Sequence, residues 1–232
     1  MENFAGRLIG REGETAELSR LAASATAGVG QAAFVVGEAG VGKTAVLELA
    51  AMTAERLGMR ALYGAAQELE RQRPFALIAS CLEMDATPAD ASRARAAEIL
   101  RGNDRYGLPE VLGGTGEADF ATVEAMLGLV EELCAQEPLA LFVDDLQWVD
   151  PASLLVVQRL IRSVQQQPLL VVGAYRPVPR GEADRLSQSP VRGNCAVLEL
   201  APLSSPAVLA LLAGLCGGEP GPRLRNMAEG AA

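Results

Sequence analysis

The chain has 232 residues, half of them hydrophobic and 21% charged, with a formal net charge of −9. That suffices for one α/β domain with a full core, is too apolar for intrinsic disorder, and is too acidic for a nucleic-acid-binding face on this segment. With no histidine in the chain, Ser-His-Asp and Cys-His hydrolysis and His-ligated metals are excluded, leaving carboxylates for acid–base work and oxygen donors for a hard cation.

Taken in chain order, Glu12 to Ala27 reads as a helix with Leu18, Leu21 and Ala25 on one face. Gln31 to Val36 is a buried strand, and Ala45 to Leu57 is a helix. Between them lies Gly37-Glu38-Ala39-Gly40-Val41-Gly42-Lys43-Thr44, the G-x-x-x-x-G-K-S/T pattern of a phosphate-binding loop set between strand and helix. Lys+Arg totals 20, and Lys43 is the only lysine among them. In such a loop the glycines let successive N–H groups point inward, the helix N-terminus favours anions, the ammonium reaches β- and γ-phosphate oxygens, and the Thr44 hydroxyl holds Mg²⁺. Nucleoside triphosphate binding is therefore expected, with Gly37 to Thr44 as the cradle.

Arg60 to Ala65 is a second strand, Phe75 to Glu83 and Ala89 to Arg101 are helices, and the Gly-rich stretch Gly102 to Gly116 is a loop. Asp119 to Gln136 is a long amphipathic helix. The run Leu139-Ala140-Leu141-Phe142-Val143 has no polar alternation, as a strand covered on both faces requires. Asp150-Pro151 starts the next helix, Asp as cap and Pro at the first position. Leu169 to Val172 is another buried strand, ending at Ala174-Tyr175-Arg176. Ala196 to Leu200 is a fifth strand, Ser204 to Cys216 a helix, and the rest a Gly/Pro-rich tail, with Gly181 to Arg192 read as a mobile loop. Alternating strands and helices predict a mostly parallel five-stranded sheet with helices on both faces, a P-loop NTPase fold with a small helical tail.

Turnover needs more than the loop. A metal-binding carboxylate and a water-positioning group are expected at the end of a neighbouring strand. Asp144-Asp145 fits this place: Asp144 to hold Mg²⁺ with Thr44, Asp145 to orient or deprotonate water. Arg176 ends the next strand, where a guanidinium would sense the γ-phosphate. Trp148 is expected to pack beneath the Asp145 turn. Catalytic work thus falls to Asp145, Lys43 and Arg176.

Several segments together resemble one family. Leu8-Ile9-Gly10-Arg11-Glu12, Gly37 to Thr44, Glu68 to Phe75, Leu141 to Ser153 (LFVDDLQWVDPAS), Ala174 to Pro177 and Leu200 to Ser204 are similar, in order, to motifs of the AAA-type (STAND-class) ATPase domain of large LuxR-family ATP-binding regulators. The resemblance implies an ATP- and Mg²⁺-dependent, slowly hydrolysing switch module. It places Ile9, Gly10 and Arg11 on the adenine side. It divides the chain into an N-terminal segment (1–30), a P-loop core (31–202) and the start of a helical lid (203–232). It further implies flanking sensor repeats and a helix-turn-helix domain in a longer chain, leaves homo-oligomerisation on ATP binding open, and carries no DNA contact onto this segment. A Gly-x-Pro segment expected to follow is not present before Ala232, so the chain reads as the N-terminal part of such a regulator. A nucleotide-binding scaffold without turnover is the alternative, and a P-loop phosphotransferase a more distant one. No apolar run reaches the ~18 residues of a membrane span. Cys81, Cys134, Cys195 and Cys216 form no C-x-x-C; reduced thiols and a cytoplasmic location are expected.

Overall fold

The computed structural model describes residues 8–84, 91–104, 117–177 and 195–229. The strands are β1 (Gln31–Gly37), β2 (Arg60–Ala65), β3 (Leu139–Asp144), β4 (Leu169–Tyr175) and β5 (Cys195–Leu200). The helices are α1 (Glu12–Thr26), α2 (Lys43–Arg56), α3 (Ala76–Cys81), α4 (Ala91–Asp104), α5 (Glu117–Gln136), α6 (Pro151–Ser163), α7 (Ser205–Cys216) and α8 (Pro222–Glu229). The strands form one sheet in the order β2-β3-β4-β1-β5, and every pairing is parallel. All five strands therefore end on the same edge.

The uninterrupted apolar runs are explained by two helical layers. Every residue of β3 and β4 is buried. On one face Ala33, Val35, Ala140, Phe142, Leu170 and Val172 pack with Leu18 and Leu21 of α1 and Val46 and Leu47 of α2. On the other, Phe34, Leu141, Val143 and Val171 pack with Ile78 of α3, Met126 and Val130 of α5 and Leu154, Val157 and Ile161 of α6. Alternate residues of β1, β3 and β4 enter opposite cores, so neither face of these inner strands offers a place for a solvated polar residue. Gly173 makes room for this packing: a Cβ there would lie 2.5 Å from Leu146 Cδ1 and 3.0 Å from the Phe34 ring.

The small helical tail is present: after α7 the Gly/Pro-rich stretch carries a further helix, α8, which begins at Pro222 and whose Arg225 amide donates to the Gly221 carbonyl (3.1 Å). One boundary needs correction: the loop predicted from Gly102 begins later, because α4 runs to Asp104. The remainder of that loop, 105–116, the segment read as a mobile loop at Gly181 to Arg192, and Gly230 to Ala232 lie outside the described residues.

Candidate nucleotide and metal site

The loop after β1 enters α2 through Gly42, which is left-handed (φ 98°), as is Gly40 (φ 74°). A side chain would be strained at both. At Gly37 the restriction is steric, because a Cβ would meet the Leu200 carbonyl oxygen at 2.9 Å. The loop is thus bare backbone leading into a helix N-terminus, the arrangement that attracts phosphate. Lys43 is buried, and its Nζ donates to the Gly37 (2.9 Å) and Glu38 (2.8 Å) carbonyls. Burial, and next the nearby Arg176 charge, hold its pKa below the ordinary lysine value.

The sheet brings the rest of the expected set to the same edge. Asp144 closes β3 and is 3% exposed. Thr44 Oγ1 donates to Asp144 Oδ2 at 2.6 Å, across 100 residues of sequence. The Asp145 amide donates to Asp144 Oδ1 at 2.8 Å, and Asp145 itself is left-handed (φ 54°). That backbone turns Asp145 out of the strand direction and starts a short 3₁₀ turn, Leu146–Trp148. Trp148 packs against the core beneath, as expected. Arg176 follows β4 directly, with an exposed side chain.

Two residues here were missed by sequence reasoning. Tyr63 of β2 donates its hydroxyl to Asp144 Oδ2 at 2.9 Å. Burial, followed by the Asp144 charge, pushes its pKa up, so the phenol stays protonated and donates. Gln147 uses both ends of its amide: Nε2 donates to Asp145 Oδ1 (2.6 Å), and Oε1 accepts from the Arg176 amide (3.1 Å). It ties the Asp145 turn to the end of β4.

Ile9, Gly10 and Arg11, which the motif resemblance assigns to the adenine side, sit before α1. Gly10 is left-handed (φ 75°), and a Cβ there would lie 2.8 Å from Ala207 Cβ of α7. Arg11 is buried, and its guanidinium donates to the Val41 carbonyl (3.0 Å) and the Ala201 carbonyl (2.6 Å) and lies 3.3 Å from Glu14. Arg11 thus braces the phosphate loop against the chain leaving β5. Ile9 is half-buried beside it.

The second half of the LFVDDLQWVDPAS block does different work. Asp150 caps α6 by accepting from the Ser153 amide (2.8 Å), and the same Oδ1 accepts from the Phe75 amide (2.8 Å). Oδ2 lies 3.5 Å from the Leu77 amide, and Ser153 Oγ accepts from Ile78 N (3.2 Å). One carboxylate therefore serves the first turns of both α6 and α3.

The donor set suits Mg²⁺. Thr44 and Asp144 are hard oxygen donors in contact, and among the described residues no group of three or more Cys, Asp or Glu is placed to hold a metal. Mg²⁺ commonly takes one or two protein oxygens and completes its shell with phosphate and water.

A parallel sheet of this order, with a glycine-lined phosphate loop after β1 and a Thr–Asp pair beside it, defines a P-loop NTPase fold. Residues 7–172 match the AAA ATPase domain model, and the chain belongs to that family. A protein of Rhizobium meliloti (strain 1021), described as uncharacterised, is 26% identical over 192 residues, covering 74% of this chain and 19% of its own length. Among solved structures, the Aeropyrum pernix ORC1 protein in complex with DNA superposes with TM-score 0.56 at 18% identity, over 94% of this chain and 52% of that one. The ADP form of Aeropyrum pernix ORC2 gives 0.57 at 16% identity, over 93% and 55%. AMPPCP-bound DnaA from Aquifex aeolicus gives 0.50 at 13%, over 94% and 55%. At these identities the likeness is one of fold. The chain spans about half the length of these structures and a fifth of the Rhizobium protein. Among the described residues no helix is long and apolar enough to cross a membrane.

Proposed function

We propose that this domain binds Mg²⁺·ATP, hydrolyses it slowly, and acts as the switch module of a LuxR-type transcriptional regulator. The observation that carries the nucleotide reading is the 2.6 Å contact between Thr44 of the phosphate loop and Asp144 at the end of β3. Backbone N–H groups from Gly37 to Thr44 would take the phosphates, and Lys43 would exchange its two loop carbonyls for phosphate oxygens. Thr44 and Asp144 would hold the cation, which would supply charge neutralisation at the β- and γ-phosphates. Asp145, presented by its left-handed turn, orients water and accepts its proton. Arg176 reads the γ-phosphate. Ile9 and Gly10 offer backbone to the base, with Arg11 bracing the loop.

In this reading residues 1–30 form the adenine side, 31–202 the catalytic core and 203–232 the start of a lid. Bound nucleotide biases the arrangement of sensor and helix-turn-helix domains elsewhere in a longer, cytoplasmic protein that self-associates with ATP. The regulator context rests on the motif resemblance. ORC1 and DnaA have been solved with DNA; the acidic net charge of this chain, −9, favours a module that does not touch DNA itself.

A second reading, a nucleotide-binding scaffold without turnover, draws support from Gln147, whose amide already engages Asp145. Phosphate release in excess Mg²⁺·ATP decides between them. Turnover in the wild type that falls by about 100-fold in Asp145→Asn, with nucleotide affinity kept, supports the ATPase. Bound nucleotide with no phosphate release leaves the scaffold.

A further inference from the structure

We propose that Tyr63 is a positioning residue for the metal side of this site: its hydroxyl fixes Asp144 in the orientation a divalent cation needs. The inference rests on the nucleotide reading above. It starts from register. β2 pairs with β3 so that Tyr63 stands opposite Phe142 and Ala65 opposite Asp144, which leaves the phenol one side-chain length from the last residue of β3. The residue is 40% exposed, yet its hydroxyl donates to Asp144 Oδ2 (2.9 Å).

Among the described residues three donors reach the Asp144 carboxylate, and they are not equivalent. The Asp145 amide fixes Oδ1 and belongs to the backbone turn. Thr44 Oγ1 and Tyr63 Oη share Oδ2. Thr44 is itself a candidate ligand. A hydroxyl has one proton and two lone pairs, so Thr44 could serve a cation through a lone pair, and its proton would then be constrained by that coordination. Of the two donors on Oδ2, Tyr63 is the one that is not itself a candidate ligand. Removing its hydroxyl would leave Oδ2 with Thr44 as its only donor, and the carboxylate freer to turn about the anchored Oδ1. Partners that orient a ligand from outside the coordination shell commonly change metal affinity by about 10–100-fold when lost. A purely structural hydroxyl, present only to satisfy a buried carboxylate, would cost stability and leave metal dependence untouched.

The test is Tyr63→Phe in the full 232-residue chain, which keeps the ring and its packing. Binding of a fluorescent, non-hydrolysable ATP analogue is measured in EDTA and across a Mg²⁺ titration, with a melting curve for each protein. The expected result is metal-free affinity within about twofold of wild type and a Mg²⁺ half-saturation raised about tenfold. An unchanged half-saturation, with or without a lower melting temperature, overturns the proposal, as does a tighter one, which would mean that Tyr63 competes with the cation. If the wild type itself binds no nucleotide at any Mg²⁺ concentration, the nucleotide reading fails and takes this inference with it. That failure is visible in the wild type and is not confused with failure of the variant.

Discussion

Asp150 sits inside the most recognisable stretch of the sequence, six residues after Asp144, and a motif-based account would place it with the chemistry. The structure predicts otherwise. Its carboxylate is 2% exposed and takes the Phe75 and Ser153 amides at 2.8 Å each, holding the left-handed Phe75 (φ 63°) at the head of α3. Asp150→Ala strands two buried N–H donors that had a charged acceptor. At about 1.5–3 kcal/mol for each such bond the loss is about 3–6 kcal/mol, a large fraction of the roughly 5–15 kcal/mol that stabilises an ordinary domain. For a domain of this size that lowers the melting temperature by on the order of 10 °C. Asp150→Asn keeps one acceptor oxygen and should cost about 1–2 kcal/mol. Urea denaturation with an unchanged m-value would give the order Ala, Asn, wild type of increasing midpoint. The nucleotide affinity of the folded fraction should stay within about twofold, because no ligand-facing atom is removed. A loss below about 1 kcal/mol in the alanine variant, or an affinity loss at full stability, would refute the reasoning.

Gly173→Ala places a methyl 2.5 Å from Leu146 Cδ1 and against the Phe34 ring; overpacking of this kind costs about 1–3 kcal/mol, and a urea midpoint equal to wild type would show that the turn after Asp145 yields freely. Cys81 gives a pH dependence with a defined sign. Burial, then the Glu83 charge, pushes its thiol from 9.0 up to about 12. Between those values the folded state keeps a proton that the unfolded chain has lost, so this contribution is complete below pH 9 and declines as pH rises toward 12. The slope is at most about 1.4 kcal/mol per pH unit. Urea unfolding under reducing conditions between about pH 9 and 11 should show a shallower decline for Cys81→Ala than for wild type, and equal slopes would contradict the assignment.

The strands were legible because they are covered on both faces: Leu139–Asp144 and Leu169–Tyr175 are buried at every position, and unbroken apolar runs say so locally. The phosphate loop was legible because its demands, glycine and one ammonium, are also local. What escaped depends on register and on backbone that no short window encodes. Tyr63 reads as any strand aromatic until parallel pairing sets β2 beside β3 and brings it to Asp144, 81 residues away. Gln147 lies in plain view within the block, but its two partners exist only because Asp145 is left-handed and β4 ends where Arg176 can reach back. Asp150 was read as the cap of its own helix, which it is; its second duty toward α3 crosses 75 residues. The block from Asp144 to Ser153 therefore divides in the middle. Asp145 and Gln147 face the strand edge, where substitutions should alter turnover at little cost in stability; Asp144 is buried among three donors, so its loss should alter metal dependence and cost stability as well. Asp150 and Ser153 face the α3–α6 packing, where substitutions should unfold the domain first. The 3₁₀ turn at Leu146–Trp148 joins the two halves, with Leu146 buried against Gly173. There a change in packing at Leu146 lies one residue from Asp145, the carboxylate proposed to position water.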